Sequence, residues 1–172
     1  MSEPTSPEAQ QKHHADVFGQ HMAAEFRARN ADQALETMTE SPHILFAPTL
    51  VGGEGREQAR TFYAKTFLSQ LPPDIRVTPL SRTLGATSLV DEMVLSFTHS
   101  IQMDWILPGV APTGRKVEVV MVVVVGFKEG KVDFEHLYWD QASVLVQAGL
   151  LDGARVPAVG AEAAQRLRSL VR

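Results

Sequence analysis

The stretch "KVEVVMVVVVGFKEGKVDFEHLYWDQASVLVQAGLL", Lys116 to Leu151, decides the fold. Its first part, Val117 to Phe127, is the most apolar run of the chain, yet it holds Glu118 and spans only eleven residues. A membrane-crossing helix needs about twenty. Dominated by valine, the run reads as a buried strand. "KEGK", Lys128 to Lys131, is a compact hairpin connection, so "VDFEHLYWD" is read as the returning strand. After Asp140 the pattern changes to a short helix, Gln141 to Ala148, with Gly149 as its stop.

Working outward, "DIRVTPLSRTLGA" and "SLVDEMVLSFTHSIQMDWI" are further strand material. Pro108-Gly109 and Pro112-Thr113-Gly114 mark the turns between strands. Ahead of Pro73 the character is helical. Val17, Met22, Phe26, Leu35 and Met38 recur at helical spacing, with a break at Arg29 to Asp32 where Asn30 or Asp32 can cap a second piece. "HILFAPTLVGG" holds a short strand, and "GREQARTFYAKTFLSQL" an amphipathic helix with Tyr63 on its apolar side. Residues 1–9, rich in Pro, Ser and Glu, are expected to be disordered, residues 10–152 to form one domain, and residues 153–172 a C-terminal extension with a helix. Helices followed by long strands indicate an α+β fold: a cone-shaped, strongly curved antiparallel sheet wrapped around the N-terminal helices.

Composition narrows the function classes. The chain has 172 residues, 44% hydrophobic and 21% charged, which suits one soluble domain. A net charge of −4 with scattered basic residues argues against nucleic-acid binding, and no stretch reads as a membrane anchor. The expected location is the cytoplasm. With no cysteine there is no disulfide, thiolate metal site or cysteine nucleophile. No G-x-S-x-G elbow occurs, and "VGGEG" lacks the Lys-Ser/Thr of a phosphate loop. No metal and no cofactor are expected.

Strand parity nominates the pocket wall. In "LSFTHSIQMDW", Leu95, Phe97, His99, Ile101, Met103 and Trp105 share one face, so His99 is the polar member of an apolar row. In "DFEHLYWD", Phe134, His136, Tyr138 and Asp140 share a face, opposite Glu135, Leu137 and Trp139. The first set is taken as the pocket wall. Asp140, His99 and His136 are the catalytic candidates; Tyr63, Phe97, Trp105 and Tyr138 are the substrate-binding ones. Bland readings stand beside each. Asp140 immediately precedes a helix and can be its N-cap, and His99 can be a hydrogen-bonded core residue. Trp105 can line the pocket mouth or plug the core.

The motifs "G-x-E-x-A-x-x-F", "H-x-x-x-MDW-x-LPG-x-x-PTG", "F-x-x-GK" and "EH-x-YWDQASVL" resemble the SnoaL-like polyketide cyclases of the nuclear transport factor two-like superfamily. That resemblance, over roughly Lys12 to Asp152, implies a conical pocket for a small apolar molecule and a homodimer joined through sheet surfaces. It also implies acid/base catalysis without metal or cofactor by one aspartate at the end of the last strand, a position matched by Asp140. The histidine that accompanies it in the cyclases falls where this chain has apolar residues and Gly126, leaving His99 or His136 to serve as partner. Two function classes follow: a cofactor-free enzyme acting on an apolar carbonyl compound by cyclisation, isomerisation, dehydration or lactone opening, or a non-catalytic ligand-binding or dimerisation module of the same fold.

Overall fold

A computed structural model describes residues 6–171. Helix α1, Pro7–Ala23, opens on a Ser6 side chain that accepts a hydrogen bond from the Ala9 amide, with proline at its first position. The helix therefore begins inside the segment expected to be disordered; residues 1–5 lie outside the described part. It continues as a π-helical turn, Ala24–Ala28, and stops at Arg29, whose φ of 50° is left-handed. The Arg29 guanidinium fixes this corner by donating to the carbonyls of Leu71 and Pro72 at 2.8 and 3.2 Å. Asn30, as its position suggested, caps helix α2, Ala31–Glu36, by accepting from the amides of Asp32 and Gln33.

Strand β1 runs over Met38–Phe46 and β2 over Val51–Glu54. Met38, read as helical, is the first residue of a strand. Helix α3, Gly55–Thr61, passes into a π-helical turn at Phe62–Phe67 and a short 3₁₀ turn. Then come β3, Arg76–Leu84, β4, Ser88–Thr98, β5, Lys116–Lys128, and β6, Lys131–Trp139. Helix α4, Gln141–Ala148, ends at Gly149 with φ of 76°, and α5, Glu162–Leu170, closes the chain.

The six strands form one curved sheet in the order β2-β1-β6-β5-β4-β3, antiparallel except for the β1–β6 pair. The parallel pair lets β6 sit between β1 and β5, so the last strand lies near the middle of the sheet. Register identifies the inner face. Met93 of β4 pairs with Met121 of β5, which pairs with Trp139 of β6; Val123 pairs with Leu137 and Val125 with Glu135. Ile44 and Phe46 of β1 continue these rows opposite Glu135 and Leu137. Phe18 of α1 and Phe62, Tyr63 and Phe67 after α3 pack against that face and are buried with it.

One expected strand is shorter than read. β4 stops at Thr98, and residues 99–115 form a loop whose Met103, Trp105, Ile106 and Leu107 are buried as a plug at one end of the cone. Trp105 donates its indole N–H to the Gln70 carbonyl at 3.2 Å, and Thr49 Oγ1 donates to the Trp105 carbonyl at 2.9 Å. Asp104 holds the loop's turn by accepting from the Gly109 amide and the Gln102 side chain. Among the described residues no helix is long and apolar enough to cross a membrane.

Candidate active site inside the cone

Helix α1 turns one stripe inward: His14, Phe18, His21 and, in the π turn, Glu25, all buried. The spacing of four, three and four residues places them along one helix face. Phe18 supplies packing, whereas His21 and Glu25 carry ionisable groups into the core. Two more polar groups meet them, Tyr63 from the turn after α3 and Glu135 from β6.

His21 is the hub. Its Nε2 lies 3.0 Å from Tyr63 Oη, 3.2 Å from Glu25 Oε1 and 3.4 Å from Glu135 Oε2. Tyr63 donates its hydroxyl to Glu135 Oε2 at 3.0 Å. On the other side of the ring, Nδ1 is 2.7 Å from Thr37 Oγ1. Thr37 spends its only hydroxyl hydrogen on the Ala34 carbonyl at 2.6 Å, so its oxygen must accept and His21 Nδ1 must carry a hydrogen. The imidazole is thereby oriented with Nε2 facing the two carboxylates. A continuous chain runs from the α2 backbone through Thr37, His21 and Tyr63 to Glu135.

Electrostatics follow from burial. Removal from water alone would lower the His21 pKa, but the negative charges of Glu135 and Glu25, with their hydrogen bonds, hold it well above the usual value. The two carboxylates thus favour the charged form of the ring. Glu25 is pushed up, chiefly by burial, with the His21 charge pulling the other way. Tyr63 is raised by burial and by the carboxylate charges, so its hydroxyl remains a donor. His21, Glu25 and Glu135 also present one ligand atom each within 4.8 Å of one another, the donor set that could hold a metal ion. Hydrogen bonding among the same atoms accounts for their separations without one.

His21 and Glu25 both hold protons more tightly in the folded chain than in the unfolded one. The native state thus binds the extra protons, and stability falls as pH rises. The His21 contribution is complete below its unfolded value of about 6.5 and is lost through its higher folded value. The Glu25 contribution starts to be lost above about 4.3. Melting temperature should therefore decline as pH rises above the unfolded values, and the decline above about pH 6.5 should be shallower in His21→Gln.

Glu25 and Glu135 line a cavity whose other walls are Phe18, Met22, Phe67, Met93, Trp105 and Met121, among further apolar groups. Its volume is about 20 Å³, room for one water. Three methionines in the wall give it side chains that can repack around a larger guest.

Solved structures share this architecture. A protein assigned as a SnoaL-like polyketide cyclase, from Jannaschia sp. CCS1, superposes with a TM-score of 0.67 at 23% identity, over 88% of this chain and 100% of its own. A protein of ketosteroid isomerase-like fold from Catenulispora acidiphila, in complex with trimethylamine, gives 0.60 at 15% identity over 79% of this chain and 94% of its own. The chain has the SnoaL-like, nuclear transport factor two-like fold. SalBIII, an epoxide hydrolase/cyclase-like enzyme of pyran ring formation in the polyether salinomycin, shares it with a TM-score of 0.56 at 17% identity, over 80% and 95% of the two chains. No protein-family profile and no curated protein matches the sequence.

Within this SnoaL-like fold, the candidates from strand parity are dispersed. The inner row of β6 is Glu135, Leu137 and Trp139, so the parity reading of that strand is corrected: Phe134, His136 and Tyr138 lie on the outer face. Gly126 explains the inversion. It pairs with Phe134, and a Cβ on it would sit 2.1 Å from the Phe134 ring, so this apolar residue packs on bare backbone outside the cone. Tyr138 is 46% exposed. Asp140 is exposed too, and caps α4 by accepting from the Ser143 amide at 3.2 Å. It lines a groove with Glu118, Tyr138 and Ala164 outside the cone. His136 lies against His43, and its pKa is lowered by burial and then by the His43 charge.

His99 is fully buried beyond the end of β4, where its Nδ1 accepts from the Thr113 amide at 3.3 Å; burial lowers its pKa. It pins the 99–115 loop and does not line the cavity. Phe97 is buried at the inner end of β4, 6.2 Å from the Trp105 ring. Of the candidates, Tyr63 joins the His21 cluster and Trp105 lines the cavity. His21, Glu25 and Glu135 were not nominated; the available signal was the i,i+4 pair of His21 and Glu25 on the same stripe as Phe18.

Proposed function

We propose that this chain is a cofactor-free enzyme that uses acid/base catalysis on a neutral, apolar, carbonyl-containing small molecule held in the cone. The observation that carries this reading is the buried pair Glu25 and Glu135 in an otherwise apolar cavity, bridged by His21 and Tyr63. Burial moves the Glu25 carboxyl upward, in the direction required of a general acid or base. Glu25 would exchange a proton with the substrate, and Glu135, fixed by Tyr63, would be the second carboxylate at the reacting centre. The described lining contains no lysine or arginine, which favours an uncharged guest over a carboxylate or phosphate.

Cyclisation, isomerisation, dehydration and lactone opening all need this equipment. The names of the SnoaL-like cyclase and of SalBIII support ring closure within that class. A homodimer joined through the outer sheet face is part of the same proposal. The exposed Tyr138 and the half-buried Val122 and Val124 support it by leaving an apolar strip on that face.

The small cavity favours one alternative, a module that binds or dimerises without catalysis. Solvent exchange separates the two. Apolar ketones that raise the melting temperature are incubated with the protein in D₂O, and deuterium entry beside the carbonyl is followed by NMR. Acceleration over buffer is expected. Ketones that bind and exchange no faster than in buffer would favour the binding module.

A further inference from the structure

On the outer face of the sheet, His43 of β1 and His136 of β6 bring their Nε2 atoms to 3.0 Å from each other. Their strands are parallel neighbours: His43 pairs with Phe134, and His136 with Leu45. Phe134 packs beside both imidazoles, with ring centroids 5.2 Å from His43 and 4.6 Å from His136, while the two imidazole centroids are 5.1 Å apart. Phe134 itself sits on Gly126. The two imidazoles are thus supported from behind by an aromatic ring on a glycine platform, and both are partly exposed. Nothing in the acid/base site uses them.

We propose that His43 and His136 form a chelating site for a late first-row divalent transition metal, copper(II) foremost. Metal–imidazole bonds are about 2.0–2.1 Å long. Two nitrogens 3.0 Å apart are close enough for one ion to reach both at that bond length. Imidazole nitrogens suit copper(II), nickel(II) and zinc(II), and copper heads the affinity order of these ions. In the metal-free pair one Nε2–H donates to the other Nε2. On binding, that hydrogen moves to Nδ1 of the same ring, both Nε2 lone pairs reach the metal, and no proton need leave the neutral pair. The remaining coordination positions face solvent or a second copy of the chain.

The test is titration of the full chain with Cu²⁺ alone, followed by calorimetry and EPR, for wild type, His43→Gln, His136→Gln and His13→Gln. The second nitrogen binds intramolecularly, so losing either histidine should weaken the tightest site by roughly 100-fold. The EPR spectrum should change from two coordinated imidazole nitrogens to one, with one ion per chain, or one per two chains if a second copy completes the site. His13→Gln should bind like wild type. Circular dichroism checks that each variant is folded, and both histidines lie on a partly exposed face where glutamine is accommodated. Equal affinity and an unchanged spectrum in wild type, His43→Gln and His136→Gln would overturn the proposal and leave the contact as a hydrogen bond only.

Discussion

Glu25→Gln and Glu135→Gln should each slow catalysed exchange beside a ketone carbonyl by roughly 10²–10⁴-fold, while Asp140→Asn leaves it near the wild-type rate. Glutamine matches glutamate in shape, and its carbonyl oxygen can still accept from Tyr63 or face His21. What disappears is the group that takes up and returns a proton. Asp140 makes the comparison sharp, because it stands outside the cone and caps α4. Asparagine is as good an N-cap as aspartate, so that variant keeps its stability as well as its activity. NMR exchange rates on one bound ketone check all three variants. A large loss in Asp140→Asn alone would move the chemistry to the outer groove.

His21→Leu should lower the unfolding free energy by about 3–5 kcal/mol. Leucine approximates the volume of the ring, so packing against Phe18 is largely kept. The damage is electrostatic: Glu25 and Glu135 remain buried with no cation between them, and Thr37 Oγ1 loses its donor. Removing one partner from a buried ionic cluster costs much more than replacing the whole cluster with apolar groups. The combined variant His21→Leu, Glu25→Leu, Glu135→Leu should therefore recover stability relative to the single change, even though it lacks every acid/base group. Urea unfolding of the two variants checks the order. That order would show that the cluster is kept at a cost in stability, as expected of a functional site rather than a structural one.

The sheet was legible because its signals are local. Valine-rich β5, the "KEGK" turn and the Gly149 stop each name their own structure, and the observed hairpin and α4 match them. The face of β6 was not legible. With valine on both of its faces, β5 offers little alternation to transfer across the pairing, and in β6 an apolar Phe134 lies on the outer row while Glu135 lies on the inner one. Burial of a glutamate contradicts the rule by which faces are assigned, and only the partners that satisfy it, His21 and Tyr63, make it intelligible. Those partners lie 114 and 72 residues away in the chain, the second separation being that of the Tyr63–Glu135 hydrogen bond. Asp140 carried both of its readings in the sequence; the structure makes the capping contact and places the side chain outside.

The most direct measurement is a pH titration of the Glu25 side-chain carboxyl by ¹³C NMR, in wild type and in His21→Gln. The account predicts a midpoint above the ordinary carboxylate range in wild type, rising further when the His21 charge is removed. A Glu25 that titrates in the ordinary range, unmoved by the loss of His21, would contradict it.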